Sequence, residues 1–543
     1  MPSAKTVRAL AVPAACSPGG VTNQRALDSF EIRFNTATVE AQVAVPPHTT
    51  NGDETLPDLI GTYSKCIQQD SPCLVNLSAF QDFRTALTSG LNADYEAIPI
   101  GGGMGGRTLN GPQASYAFTL AGTDSSQFGD APSPANQETA KIVPPPPPVS
   151  SEAYATELVE LYWCSLLRDV AFTDYATHPY AAAAAAELSG MTKYAGPKPG
   201  GTVTTDLLFR GGYAGELNGP YMSQLLLRPT RFGAQEFSQR YITYQPGLDY
   251  MTDITTFQAV QNGIDTGFTN MEASTPQYLH NGRGLAAYTN VDELFQAYFT
   301  AYLALKTMKI KANPANPYMG SKTQNAFGTF GGPDVAATMA FIAKIALNAV
   351  WYQKWLVHLR HRPESGGGLV HLIKTGAGAG LSRQLHNKVL KSDAVKEAHK
   401  KNHSYLLSQP FPSGSPAHPA YPTGHGTVGG ACITVLKFFF DGNAVIPNPT
   451  VSAPDGLSLQ PYSYTGTDTD LLRVNGELNK LAHNVSFGHG IHAGIHWRSD
   501  TDDSMLLGEA VAISALQDLA KTYHEHFSIP IQKLDGNTAT ISN

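Results

Sequence analysis

The chain has 543 residues, with 37 Lys and Arg against 44 Asp and Glu, which gives a formal net charge of −7 at pH 7. This balance argues against a nucleic-acid or anionic-membrane partner, because either would need a basic surface. Five cysteines exclude a disulfide-dense scaffold, and a charged fraction of only 15% suits long ordered loops and subunits that bury surface in an oligomer.

The N-terminal part of the chain is rich in turns and ends in five consecutive prolines, 144–148. These prolines predict an extended polyproline II spacer on the surface. Near the start, Lys5 and Arg8 precede a short apolar run that Pro13 interrupts, which makes a poor signal peptide. No stretch approaches 18 uninterrupted apolar residues, so we expect a soluble chain without a membrane span.

Two local patterns precede the helices. The segment GGGMGG (101–106) matches the glycine spacing of dinucleotide-binding loops, but it lacks the following helix and the distal acid, so it predicts a turn. Cys66 and Cys73, in CIQQDSPC, either form a local disulfide or remain two separate thiols.

Apolar residues then recur at helical spacing, while strand signals stay short and scattered. Five long helices are predicted: one over 150–172, one over 289–310 that begins at Thr289 or Asn290, one over 331–364 that Pro363 ends, one that follows Pro422-Thr423-Gly424-His425, and one over 503–526. The predicted class is mainly α with long loops. We divide the chain into a loop-rich and helical half, 1–330, and a helical half, 331–543, which we expect to form one compact unit.

Three separated segments carry candidate site residues. In the third helix, Lys354, His358 and Arg362 are spaced by four, which predicts one basic face that either holds an anion or is a solvated helix end. In the second segment, Thr423, Gly424 and His425 precede an apolar helix, where free amides and the Thr hydroxyl form either an anion cradle or an ordinary cap.

The third segment, FGHGIHAGIHWRSD, contains His489, His492 and His496. Their spacing places them on one face if the segment is helical, and a divalent metal site is then conceivable. The lack of a nearby Cys, or of a carboxylate before Asp500, weakens that interpretation. Together the three segments predict a site for a tetrahedral oxyanion.

In the same order, KWLVHLRHRPE, HPAYPTGHG and GIHWRSD resemble the three signature segments of the vanadium-dependent haloperoxidases, which share their anion-binding core with acid phosphatases. NGDETLPDLIGTYSKC, YWCSLLRDVAFTDY and GPYMSQLLLRP resemble the bromoperoxidase-type branch of that family, so the resemblance covers most of the chain. It implies two four-helix bundles, a vanadate cofactor, and a homo-oligomer from dimer to dodecamer.

The resemblance also implies which residues bind the cofactor. Lys354 and Arg362 are expected to neutralise vanadate oxygens, with hydrogen bonds from the Thr423 hydroxyl and the Gly424 amide. His496 is expected to be the axial ligand of vanadium.

Two further histidines receive catalytic roles from the resemblance. His425 is the expected acid–base residue, and Lys354 is expected to activate the bound peroxide. His418 stands where bromoperoxidases carry a second histidine, which favours bromide over chloride. Trp351 fits the same pattern, or simply packs in the core.

One position departs from the family pattern. The family places an arginine after Phe-Gly, six residues before the axial histidine, but here His489 follows Phe487-Gly488 and Gly490 stands six residues before His496. This chain therefore has one residue more between the two anchors. We expect His489 to replace the arginine. The alternative is a local bulge at Gly490, with Arg498 or another segment filling the gap.

The implied activity is the oxidation of bromide or iodide by hydrogen peroxide to a species like a hypohalous acid, which halogenates small organic acceptors. Two alternatives remain. An acid phosphatase uses the same pocket, because phosphate and vanadate are isosteric. A non-catalytic homologue would keep the fold with a weakened site.

Overall fold

A computed structural model describes residues 23–118, 143–463 and 472–543, so the segment judged as a signal peptide lies outside the described residues. Within these ranges the chain is mainly helical, as predicted, with sixteen α-helices and four two-stranded antiparallel ribbons.

The α-helices are, in chain order, α1 Gln24–Glu40, α2 Leu77–Ser89, α3 Asn92–Glu96, α4 Glu152–Leu167, α5 Pro179–Ser189, α6 Gln224–Leu227, α7 Ile254–Gln261, α8 Gly282–Asn290, α9 Gln296–Thr307, α10 Gly332–Tyr352, α11 Pro363–Thr375, α12 Asn387–Leu390, α13 Asp393–Asn402, α14 Gly424–Phe439, α15 Val474–Phe487 and α16 Arg498–Ala520. Two π-helical turns, Gln353–His358 and Gly488–His492, follow α10 and α15. Each strand pairs with its neighbour in sequence: β1 Gln69–Ser71 with β2 Leu74–Val75, β3 Thr230–Phe232 with β4 Gln235–Phe237, β5 Thr450–Ser452 with β6 Leu459–Pro461, and β7 Ser528–Gln532 with β8 Thr538–Ser542.

Four helices, α10, α14, α15 and α16, form the first bundle around one apolar core. Every residue of α14 is buried, because its sequence is apolar on all sides and the other three helices surround it. The glycines at its start allow close approach: a Cβ at Gly430 would overlap the backbone of Met505 in α16.

The second bundle is built on α4, which contacts α5, α11, α12 and α13. Its core contains Tyr162, Trp163, Leu369 and Val395, all buried. Because α4 and α11 lie on opposite sides of residue 330 in the chain, this bundle combines helices from both halves. The division into 1–330 and 331–543 stays a prediction.

Two predicted helices have different boundaries. The helix predicted over 289–310 is wrong at its start, because Asn290 ends α8 and a loop separates it from α9. The helix predicted over 331–364 ends at Leu359, whose φ of 47° is left-handed. Pro363 does not end that helix; it occupies the first turn of α11, where its missing N–H costs nothing.

The structure also tests the predictions for the two cysteines, the glycine-rich segment and the proline run. Cys66 and Cys73 are separate thiols, and GGGMGG is a turn. The prolines 144–148 form neither helix nor strand, but they are not a free surface spacer, because Pro146 is buried.

One described helix, Gly332–His358, is long and apolar enough to cross a membrane, and 56% of its most apolar window is buried within the structure, as in a core helix.

Candidate oxyanion site

Lys354 lies in the π-helical turn that follows α10, and its side chain is fully buried. Its Nζ donates to the carbonyls of Pro419 and Ala420, at 2.8 Å each. An ammonium has three donors, so one remains for a ligand. Burial, reinforced by the nearby Arg362, lowers the pKa of Lys354 well below its usual value. An anion beside it would offset that loss of charge.

Arg362 does not share a helix face with Lys354, as the spacing predicted. It is the N-cap residue of α11, with Nε donating to His418 O at 2.9 Å and Nη1 to Ile495 O at 2.9 Å. Burial lowers its pKa to about 10, so the guanidinium stays charged at neutral pH. The two cations meet because the π-turn and the left-handed Leu359 redirect the chain between them.

Thr423 is the N-cap of α14, but its side chain makes no capping hydrogen bond. Its Oγ1 is buried and has no partner among the described residues. A buried hydroxyl without a partner is costly, and the first-turn amides of α14 also lack helical acceptors. A Cβ placed on Gly424 would be in ordinary van der Waals contact with Trp351 and Leu347, at 3.8 and 3.9 Å, so the backbone here is not crowded. These features are those of an oxyanion cradle.

His496 lies between α15 and α16 and is completely buried. Its Nδ1 donates to Asp500 Oδ2 at 3.0 Å, and Arg362 Nη1 donates to its Nε2 at 2.8 Å. Burial, with Arg362 and Lys354 adding to it, lowers the pKa of His496 well below its usual value. The imidazole is therefore neutral, with its lone pair on Nε2.

Asp500 is the last residue of the third segment, and the sequence analysis predicted no role for it. One carboxylate oxygen accepts from His496 and the other from Arg360 Nη1 at 2.7 Å. Arg360 also pairs with Glu157 of α4 at 2.9 Å, which joins this site to the second bundle. The backbone carbonyl of Asp500 accepts from Thr423 N at 3.0 Å. The spacing of four between His496 and Asp500 was the available signal.

His425 pairs with a residue that the sequence did not identify. Its Nε2 lies 2.9 Å from Asp292 Oδ1, and the Asp292 side chain is 2% exposed. The sequence placed Asp292 inside a helix, whereas it lies in the loop between α8 and α9. The contact spans 133 positions in the chain, so no local pattern indicated it.

His489 lies against His425, with ring centroids 3.7 Å apart, and 5.6 Å from the ring of His496. Its Nδ1 donates to Thr289 O at 3.2 Å. Burial, with His425 and His496 adding to it, lowers the pKa of His489 well below its usual value. The residue thus adjoins the two site histidines, as a neutral ring.

The π-turn Gly488–His492 lies between Phe487 and His496, so the backbone is locally bulged at Gly490, as the alternative expected. A Cβ at Gly490 would meet Thr501 Cγ2 at 2.7 Å. Arg498 does not fill the gap, because it pairs with Glu160 and donates to Arg210 O.

His418 contacts the candidate site cation Arg362, whereas His358 and His492 contact other residues. Arg362 Nη2 donates to His418 Nδ1 at 3.0 Å, and the Trp351 ring lies 4.8 Å from the His418 ring. His358, predicted on the basic face, packs against Tyr421 instead, and neither of its ring nitrogens has a partner among the described residues. His492 contacts Cys164 Sγ at 3.2 Å.

Known proteins are similar to this chain over nearly its whole length. Residues 338–525 match the family model described as the VCPO second helical-bundle domain. A vanadium-dependent bromoperoxidase of Corallina officinalis is 30% identical over 96% of this chain and 100% of its own length. One from Ascophyllum nodosum is 31% identical over 95% of this chain and 92% of its own. The homohexameric structure of the second vanadate-dependent bromoperoxidase of Ascophyllum nodosum superposes with a TM-score of 0.88 at 27% identity, covering 97% of this chain and 91% of that one.

Proposed function

Because the chain belongs to the vanadium-dependent haloperoxidases, in their bromoperoxidase-type branch, we propose that it is a peroxidase that holds vanadate and oxidises bromide or iodide with hydrogen peroxide. The observation that carries this proposal is the buried Thr423 hydroxyl, unpartnered at the start of α14 and joined through Asp500 to His496. An anion with several oxygens would supply the missing partner.

The residues present suit vanadate. Lys354 and Arg362 would neutralise its oxygens, and Thr423 Oγ1 and the Gly424 amide would donate to it. His496 would hold the cofactor through Nε2, which accepts from Arg362 Nη1 in this structure, because Asp500 holds the ring proton on Nδ1. When bound, vanadate supplies a pentavalent Lewis acid that does not change oxidation state while peroxide oxidises the halide.

His425 would move the proton in this reaction. With Nε2–H donating to Asp292, its Nδ1 carries the lone pair and takes a proton from hydrogen peroxide. The Asp292 carboxylate then stabilises the imidazolium that forms. Lys354 would place its remaining N–H against the reacting oxygen, and His418 beside Arg362 would favour bromide. The halogenating species leaves the site, so small organic acceptors need no dedicated pocket.

His489 would take the place of the family's arginine. Its ring lies against His425, and it directly follows Phe487-Gly488, where the family places the arginine. As a neutral imidazole whose Nδ1 already donates to Thr289 O, it supplies less positive charge than a guanidinium. We therefore expect weaker vanadate binding than in a site that has the arginine.

The test is bromination of a phenolic dye by the purified chain with vanadate, peroxide and bromide. The native chain and His492→Ala should brominate, since His492 contacts Cys164 outside the site. His496→Ala should not, and His425→Ala should bind vanadate more weakly and use peroxide slowly. Loss of activity in His492→Ala but not in His496→Ala would contradict the proposal.

An acid phosphatase is the alternative, since Lys354, Arg362 and Thr423 suit phosphate equally well. Phosphatase turnover without peroxide, and no bromination with it, would establish that alternative.

We also propose that the chain assembles into a homo-oligomer, as the Ascophyllum nodosum homohexamer does. Light scattering tests this, and a monomer at all concentrations would contradict it.

A further inference from the structure

A buried ion pair outside the cradle joins the N-terminal half of the chain to the start of α11. Lys65 Nζ lies 2.6 Å from Glu364 Oε1, with the two side chains 2% and 0% exposed. Gln261 Nε2 donates to the same oxygen at 2.9 Å. A buried ion pair is by itself weak evidence for stability, because taking two charges out of water is costly. Its other contacts indicate a different role.

Both members of the ion pair form hydrogen bonds with the turn at residues 413–415. Besides Glu364, Lys65 Nζ donates to Ser413 O at 2.8 Å and to Ser415 O at 2.7 Å. Glu364 Oε2 accepts from Ser415 N at 2.6 Å and from Ser415 Oγ at 2.8 Å. A Cβ at Gly414, where φ is 57°, would overlap Glu364 Oε2. The backbone of the turn therefore lies directly against the carboxylate.

The same loop continues into the cradle. His418 O and Nδ1 accept from Arg362, and the carbonyls of 419–420 accept from Lys354. The loop is thus attached twice, to the ion pair at its start and to the two site cations further on. Because Glu364 stands two residues after Arg362, moving the turn relative to α11 moves His418 relative to Arg362.

The glycine-rich turn at 101–106 has no role in the cradle, but it leads into Arg107. Arg107 Nη1 donates to Ser413 O and Ser415 O at 3.0 Å each. The two carbonyls that Lys65 holds are therefore held from a second direction.

We propose that Lys65 and Glu364 are positioning residues of the oxyanion site, which fix the turn at 413–415 so that the following loop orients Lys354 and Arg362. This inference rests on the proposed function only in taking vanadate as the anion, because the loop would orient both cations toward phosphate in the same way.

The experiment is calorimetric titration of the full chain with orthovanadate and, separately, with inorganic phosphate. We expect Lys65→Met and Glu364→Gln each to weaken binding of both anions by about tenfold or more, the range typical of residues that orient a ligand. Lys65→Arg keeps the charge and should recover most of the affinity that Lys65→Met loses.

Lys480→Met is the matched control. The Lys480–Glu477 pair has the same 2.6 Å separation and side chains 2% and 1% exposed, but Lys480 contacts Asn218 O, not the site loop. We expect Lys480→Met to lower the melting temperature as Lys65→Met does, while vanadate affinity stays within about twofold of native, well under the tenfold step that 1.4 kcal/mol represents. An equal loss of affinity in Lys480→Met would overturn the proposal.

Ser415→Ala keeps the test decisive if the Lys65 and Glu364 variants do not fold, because it removes one hydroxyl contact with Glu364 Oε2. It should weaken vanadate binding by about threefold, less than a full charged contact contributes, and should lower the melting temperature less than Lys65→Met does. Unchanged affinity in every variant that folds would overturn the positioning role. Native anion binding without bromination would instead contradict the proposed function and leave the positioning role intact.

Discussion

His496 Nδ1 donates to Asp500 Oδ2 at 3.0 Å, and both side chains are completely buried. A carboxylate on one imidazole nitrogen keeps the proton there and leaves the other nitrogen free to bind a ligand. Arg360 Nη1 donates to the second carboxylate oxygen at 2.7 Å, so both oxygens of Asp500 accept a side-chain hydrogen bond. The contact between His496 and Asp500 therefore decides which nitrogen of His496 faces a ligand.

Asp500→Asn should weaken vanadate binding by about ten- to a hundredfold, because the amide no longer holds the proton on Nδ1 of His496. Calorimetric titration with orthovanadate measures this. Asp518→Asn, on the same helix and paired with the half-exposed Lys521, is the control and should bind like native. Native-like affinity in Asp500→Asn would show that His496 is oriented by its packing alone.

Thr423→Val should separate stability from binding. The Thr423 hydroxyl is buried without a partner, so its removal should raise the free energy of unfolding of the vanadate-free protein by about 1 kcal/mol. Vanadate binding should weaken by about tenfold, as expected for a lost hydrogen bond to a charged group. Urea unfolding and vanadate titration measure the two effects.

Thr434→Val is the control for that substitution, because its hydroxyl donates to Gly430 O within the same helix. It should change vanadate affinity little. Destabilisation by Thr423→Val without loss of affinity would show that the Thr423 hydroxyl serves the fold and not the anion.

His489→Arg should tighten vanadate binding at pH 7 by about ten- to a hundredfold, because it restores a permanent positive charge beside His425. Gly490→Arg is the matched comparison and should not tighten binding, because a Cβ there meets Thr501 Cγ2 at 2.7 Å. The measurement is the vanadate concentration that gives half-maximal bromination. If neither arginine changes it, His489 does not stand in for the missing residue.

The fold should lose stability as the pH falls below about 6.5, the ordinary histidine pKa. Burial lowers the pKa values of His358, His361 and His492 to about 3, so each binds a proton on unfolding between those values. Stability then rises with pH in this range, by about 1.4 kcal/mol per unit for each histidine. Asp53 and Asp502, whose pKa values burial raises to about 6, act in the opposite direction.

His492→Gln isolates this effect, since it removes one titrating group outside the site. The free energy of unfolding between pH 5.5 and 6.5, measured in urea, should depend less steeply on pH in the variant by about 1 kcal/mol per unit, because the unfolded histidine is only partly protonated in this range. An unchanged slope would mean that His492 is protonated in the folded chain.

The sequence by itself determined the helical class and most of the cradle. Apolar periodicity reports local backbone conformation, so it located α4, α14 and α16. The three segments placed Lys354, Arg362, Thr423 and His496 because each lies in a short, locally distinctive pattern. The glycines and the N-cap position of Thr423 follow from the same local chemistry.

Only the tertiary structure decided which way the histidine side chains point and which residues from distant segments contact the site. Each π-turn inserts about one residue into a helix and so rotates the following side chains by about 100°. This rotation invalidates a simple helical projection and explains why His358 and His492 leave the faces on which spacing placed them. The partners Asp292 and Lys65 come from segments far away in the chain, brought to His425 and Glu364 by packing that no local pattern encodes.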